Sequence, residues 1–173
     1  MKTREIILGS MKKLLKEKTI EKIRVQDIIS DAGVSKATFY KYFKDKYDIA
    51  MAFYMDNLVS EQLLKNNEPD RRDRFIKLFT YMKENRFYLK RLLEIEGQNS
   101  FQMFLRNETM DSYLKEIADQ YHYDDVSSLG LLVDAYLAAS NVIIKKWIEA
   151  DCKTSVDEIT DFILHLEKGI FTK

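Results

Sequence analysis

Ile7, Met11, Leu14 and Leu15 fall at i, i+4, i+7 and i+8, and Lys12, Lys13, Lys16 and Lys18 occupy the other faces. One apolar stripe against a basic remainder predicts an amphipathic helix from about Thr3 to Lys18. Val25, Ile28, Ile29 and Ala32 repeat the spacing over a shorter span that stops at Gly33, the residue type best suited to the left-handed turn that ends a helix. Ser35 offers a hydroxyl to the first free N–H groups of a third helix, Lys36 to Phe43. Asp45, with Asp48 three residues on, caps a fourth that carries Ile49, Phe53 and Leu58 and continues to about Leu64.

The strongest break in the chain is Asn66-Asn67-Glu68-Pro69-Asp70, and Asp70 or Pro69 restarts a helix. Phe75, Leu78, Phe79 and Met82 form its apolar face, which predicts a run to about Phe87. Helices over Tyr88–Glu96 and Phe101–Tyr121 follow, parted by Gly97-Gln98-Asn99-Ser100. Beyond His122-Tyr123-Asp124-Asp125 comes a long helix from Val126 to about Ala150. Ser155 (or Thr154) caps the last one, which runs to about Gly169 and carries a stripe of Val156, Ile159, Phe162, Ile163, Leu166 and Ile170. About nine helices are expected.

Composition points the same way. Five Gly and one Pro in 173 residues are about 3.5%, against roughly 12% in average usage. A sheet needs turn residues every strand or so, and this chain hardly has them. The fold class is all-α, with chain enough for one ordinary domain or two small ones.

Lys and Arg number 28 and so do Asp and Glu, but the zero net charge hides a split. Residues 1–48 hold twelve basic and seven acidic side chains, a net +5, and the rest hold sixteen and twenty-one, a net −5. The N-terminal end can attract a polyanion and the other end cannot. The single cysteine, Cys152, excludes a disulfide framework and a multi-thiolate metal site. His122 and His165 are the only histidines, and no paired carboxylate motif surrounds them. With no Gly-rich phosphate loop and no nucleophile elbow, no catalytic residue, metal ligand or cofactor is expected. The most apolar stretch, Leu129 to Ile144, contains Asp134 and Asn141 and falls short of the roughly 20 residues that span a bilayer. A soluble, cytoplasmic protein without membrane contact is expected.

Residues 25–43 read helix, glycine turn, helix, the arrangement of a helix-turn-helix. A short capped helix set on two supports fits a major groove about 12 Å wide, and its N-terminus favours phosphate. Phe39 and Phe43, four apart, should face the core with Val34, leaving Lys36, Ala37, Thr38, Tyr40 and Lys41 outside. The alternative is an incidental helical hairpin with a solvated polar face. Gly33-Val34-Ser35-Lys36-Ala37-Thr38-Phe39-Tyr40-Lys41-Tyr42-Phe43-Lys44-Asp45-Lys46 resembles the DNA-binding signature of the TetR/AcrR family of transcriptional regulators. Ile28, Ala32 and the first helix also fit, so the likeness covers about residues 4–50.

The resemblance implies a three-helix DNA-binding head, residues 1–46, and a helical effector-binding and dimerisation body, residues 47–173. It implies a regulator, expected to be a repressor, that binds a near-palindromic operator in double-stranded DNA as a homodimer and responds to a small-molecule effector. Thr38 and Tyr40 would then meet a phosphate or a base edge, and Lys46 and Gln26 a phosphate. Ser35, Lys36, Ala37 and Lys41 complete the DNA-binding set, with Lys12 nearer the DNA backbone. Where the family often has Thr before the second helix this chain has Arg24, so a cap is lost there and a charge gained.

Ala138 to Ala150 and Ser155 to Ile159 resemble the last two helices of a TetR subgroup, without the subgroup's glycines near Ser140–Asn141 and Asp151. Small residues there allow close helix approach, so Ala139, Val142, Ile143, Trp147, Phe162, Ile163 and Leu166 are candidates for a four-helix dimer interface. The alternative is that both helices only complete the monomer core. Phe75, Phe79, Met82, Phe101, Phe104, Tyr113 and Tyr136 either line an effector cavity or are plain core. A competing function is that of a co-regulator, TetR-like in fold, acting through protein contacts without binding DNA.

Overall fold

The computed structural model describes residues 2–60, 70–97, 100–122 and 126–172. The expected continuation to Leu64, the break at Asn66–Pro69, Gln98, Asn99, the loop residues Tyr123–Asp125 and the side chains of Phe53 and Leu58 lie outside what is described. Among the described residues the structure is wholly helical: α1 Thr3–Glu17, a 3-10 turn Ile20–Lys22, α2 Val25–Ala32, α3 Lys36–Tyr42, α4 Lys46–Ser60, α5 Arg71–Glu84, α6 Arg86–Leu93, α7 Phe101–Tyr121, α8 Val126–Glu149 and α9 Val156–Phe171.

Most boundaries sit where local chemistry sets them. Asp70 accepts from the Arg72 N–H at 2.8 Å and opens α5. Ser155 and Glu158 form a reciprocal capping box at the start of α9, their backbone–side-chain bonds 2.9 and 3.2 Å long. Helix α5 ends at Glu84, earlier than the expected Phe87: Asn85, at φ −102° and ψ 17°, leaves helical geometry and its side-chain amide donates to the Tyr81 carbonyl. Helix α8 stops without glycine. Asp151 and Cys152 take positive φ of 59° and 52°, and the Cys152 N–H closes back on Trp147 O at 2.9 Å.

The chain divides into two compact units. The first is residues 1–67 with 87–101. Ile7, Met11, Leu15, Ile20, Ile28, Phe39, Phe43 and Ile49 are its buried centre, and Tyr88 of α6 donates to the Ala50 carbonyl of α4 at 2.6 Å. Burying such side chains contributes about 1.5–3 kcal/mol each, which is what holds helices as short as α2 and α3. The second unit is residues 68–86 with 102–173, in which α9 packs on α5 and α8. Phe75 and Phe79 stack, with ring centres 5.8 Å apart, and Trp147 meets Phe79 edge-on at 5.7 Å. No described helix is long and apolar enough to cross a membrane.

Candidate nucleic-acid interface

Helix α3 packs on α2, and α2 and α4 both pack on α1. The turn into α3 depends on Gly33, whose φ of 63° suits a residue without a side chain. The Val34 N–H then returns to Ile29 O at 3.2 Å, completing the reversal. Ser35 caps α3: its Oγ accepts from the Thr38 N–H at 3.0 Å and lies 2.8 Å from Thr38 Oγ1. At the start of α2 Arg24 has no oxygen with which to cap, and Asp27 instead reaches back to the Arg24 N–H at 3.0 Å. Lys13 of α1 pairs with Asp31 of α2 at the surface, where solvent screens the charges, and the bond still sets one helix against the other.

With that support α3 has two unlike faces. Phe39 is 0% exposed and packs against Phe43 at 6.1 Å, whereas Tyr40 is 49% exposed with its ring edge-on to Phe39. Ser35, Lys36, Ala37 and Lys41 are exposed and Thr38 is half-buried. Gln26, on α2, is exposed and donates to Ser30 Oγ at 3.4 Å. Six of the eight residues chosen from the sequence thus lie on α3 or at its cap, and Gln26 is exposed near the start of α2. Lys46 differs: its ammonium donates to the carbonyls of Ile20, Glu21 and Ile23.

In the second unit the residues chosen as cavity lining divide evenly between buried and half-buried positions. Phe79, Met82 and Tyr136 are buried, Phe75, Phe104 and Tyr113 half-buried. Phe101 belongs to the first unit, edge-on to Tyr54 at 4.8 Å. A groove of about 760 Å³ opens instead between α7 and α8, where Met103 and Arg106 face Asp134, Ala138, Val142 and Lys145. Trp147 and Ile163 are buried within the single chain, and Trp147 Nε1 donates to Thr154 O at 2.9 Å. Ala139, Ile143 and Leu166 are half-buried. Among the described residues of α8 and α9, Leu131 (75% exposed), Ala135, Ala138, Val142 (55%) and Phe162 (57%) leave apolar surface open.

Beside that core lies a polar network without a sequence motif. Arg71 of α5 donates to Glu167 of α9 from Nη2 at 2.6 Å and Nε at 3.1 Å. It also donates to Glu116 of α7, which Arg74 meets too, and to Tyr113 Oη at 2.8 Å. Tyr113 donates to Glu167 at 2.8 Å and lies 3.0 Å from the Tyr136 hydroxyl. Burial opposes the Arg71 charge, but the Tyr113 oxygen, Glu167 and Glu116 outweigh it and hold the guanidinium above its ordinary range. Burial pushes the Tyr113 and Tyr136 phenols up, with Tyr136 adding to the first and Glu167 to the second.

Two family models match the chain: one described as bacterial regulatory proteins, tetR family, over residues 7–53, and one described as transcriptional regulator C-terminal region, over residues 70–169. The HTH-type dhaKLM operon transcriptional activator DhaS of Lactococcus lactis subsp. lactis (strain IL1403) is 25% identical over 130 residues, 72% of this chain and 68% of that protein. A solved structure of dihydroxyacetone kinase operon activator DhaS superposes with a TM-score of 0.69 at 22% identity, over 98% of this chain and 96% of that one. NalD, the secondary repressor of the MexAB-OprM multidrug efflux pump in Pseudomonas aeruginosa, superposes at 0.65 and 16% identity, over 99% and 96%. The two solved structures speak for the fold alone.

Proposed function

The chain belongs to the TetR family of transcriptional regulators, with a DNA-binding N-terminal domain, and on that premise we propose that it occupies a near-palindromic operator as a homodimer whose hold on DNA is set by a small effector. Residues 1–46 are the head in this reading and residues 47–173 the effector-binding and dimerisation body, working in the cytoplasm. The observation that carries it is the two-faced α3, apolar at Phe39 and open at Lys36, Ala37, Tyr40 and Lys41. Seven helical residues span about 10 Å, short enough to enter a major groove end-on.

Base contact and phosphate contact separate in the assay. Tyr40→Ala is expected to weaken binding to the cognate duplex by about 1–3 kcal/mol while leaving a random duplex of equal length nearly unaffected. Equal losses on both duplexes would reduce Tyr40 to a backbone contact. No loss on either would remove α3 from the DNA surface. DhaS is named an activator and NalD a repressor, and the sign of control depends on where an operator lies relative to its promoter. A reporter fusion reads it.

The effector belongs to the reading through the family's habit and through the α7–α8 groove, whose volume lies within the roughly 300–1,000 Å³ of small-molecule sites and whose Ala138 and Val142 edge the partner would cover in the proposed dimer. An effector acts only by preferring one head arrangement over another, since equal affinity for both shifts nothing. Thermal-shift screening with hydrophobic metabolites should return compounds that raise the melting temperature and change DNA occupancy. Compounds that bind without changing occupancy would rule this groove out as the control point.

A further inference from the structure

Lys46 opens α4, the position to which the family resemblance assigns a phosphate contact. Its side chain turns inward. Nζ donates to Ile20 O at 2.7 Å, Ile23 O at 3.2 Å and Glu21 O at 3.1 Å. An ammonium has three protons and no acceptor, so three carbonyls use all of its donors. Their oxygens belong to the 3-10 turn Ile20–Lys22 and to Ile23, two residues before α2 begins. Two short-range bonds, Lys22 N–H to Thr19 O and Ile23 N–H to Ile20 O, both 3.1 Å, and the buried Ile20 and Ile23 side chains also hold that connection. A lysine at the first position of a helix is also the wrong sign for the helix dipole, and the gathered carbonyls supply the negative partial charge that the helix end does not.

We propose that Lys46 is a positioning residue for DNA reading: it clasps the α1–α2 connection to the start of α4 and spends none of its protons on phosphate. The clasp fixes where α2 starts, and α3 follows from α2 through the Gly33 turn, so its loss tilts the recognition face. The DNA part of this inference rests on the reading of α3 given above.

The test uses the full chain with Lys46→Met, which keeps the stem and removes the donors, and Lys46→Arg, which restores donors. Amide exchange is read at Lys22 and Ile23, and binding to a random-sequence duplex is read as a function of salt. In Lys46→Met the exchange at both amides rises about tenfold and cognate affinity drops about tenfold, the scale of a lost hydrogen bond. The slope of log affinity against log salt stays that of the wild type, and Lys46→Arg recovers most of both losses. A slope flattened by about one with unchanged exchange identifies a phosphate contact and overturns the clasp. Should Lys46→Met fail to fold, the wild type decides: NMR couplings across the hydrogen bonds from Lys46 Nζ to the Ile20 and Ile23 carbonyls that persist when the duplex is added support the clasp, and their replacement by a coupling to a DNA phosphorus refutes it. A wild type that binds no duplex defeats the DNA reading, while exchange in the variants still decides the clasp.

Discussion

Glu167→Ala is expected to cost the body about 3–5 kcal/mol, read as a lower denaturant midpoint at unchanged slope. Glu167 is 1% exposed and takes two hydrogen bonds from Arg71 and one from Tyr113. Removing it takes the main acceptor from a largely buried Arg71, which keeps Glu116 and the Tyr113 oxygen, and the cost is that of a buried cation left with incomplete compensation. The double change Arg71→Met with Glu167→Leu should therefore recover most of the loss, because apolar residues of similar volume replace a buried pair at little net cost. A single variant that loses less than about 1 kcal/mol would show that water reaches the pair. Alkali probes the same cluster. The Tyr113 and Tyr136 phenols are raised above the ordinary 10.0 in the folded chain, so the folded state holds their protons more tightly than the unfolded state. Their contribution is whole below pH 10 and falls as pH rises beyond it, and Tyr113→Phe should blunt that decline.

Phe162→Arg is expected to turn a dimer into monomers and to lower operator affinity about 10²–10⁴-fold, the advantage of joining two half-site contacts. Phe162 sits on α9 and Val142 on α8, more than half exposed in the single chain, as Leu131 is. In the proposed dimer a two-fold axis sets such a surface against its copy, so each substituted chain brings an unpaired guanidinium into an apolar contact. The chain itself should stay folded, since Ile159, Ile163 and Glu167 fill the buried face of α9. Light scattering gives the mass and circular dichroism the helix content. A folded variant that remains dimeric removes Phe162 from the interface, and a monomeric wild type removes the dimer.

What could be read from the chain is what depends on near neighbours. Gly33, Ser35, Asp45 and Ser155 act on backbone groups within a few residues, and each stops or starts a helix where its chemistry requires. Phe39 could be placed inward and Tyr40 outward because helical spacing alone divides them. Distant partners left no such trace. Arg71 and Glu167 stand 96 residues apart, and no periodicity pairs them. Tyr113 and Tyr136 register in the pattern as aromatic area, although their hydroxyls belong to a charged network. Along α8 the apolar positions outnumber those one face can bury, so spacing could not separate buried Trp147 from open Leu131. Lys46 shows the same limit: its acceptors lie 23 to 26 residues back, in a turn that folds under α4 only in three dimensions.

Sequence reading by α3 is open to one decisive assay: mobility shift of the chain with the DNA upstream of its own coding region, against a scrambled duplex of equal length and composition. A discrete complex is expected on the upstream DNA, at least about a thousandfold tighter than on the scrambled duplex at physiological salt. Equal affinity for the two duplexes, or no complex with either, would contradict it and favour a regulator that works through protein contacts.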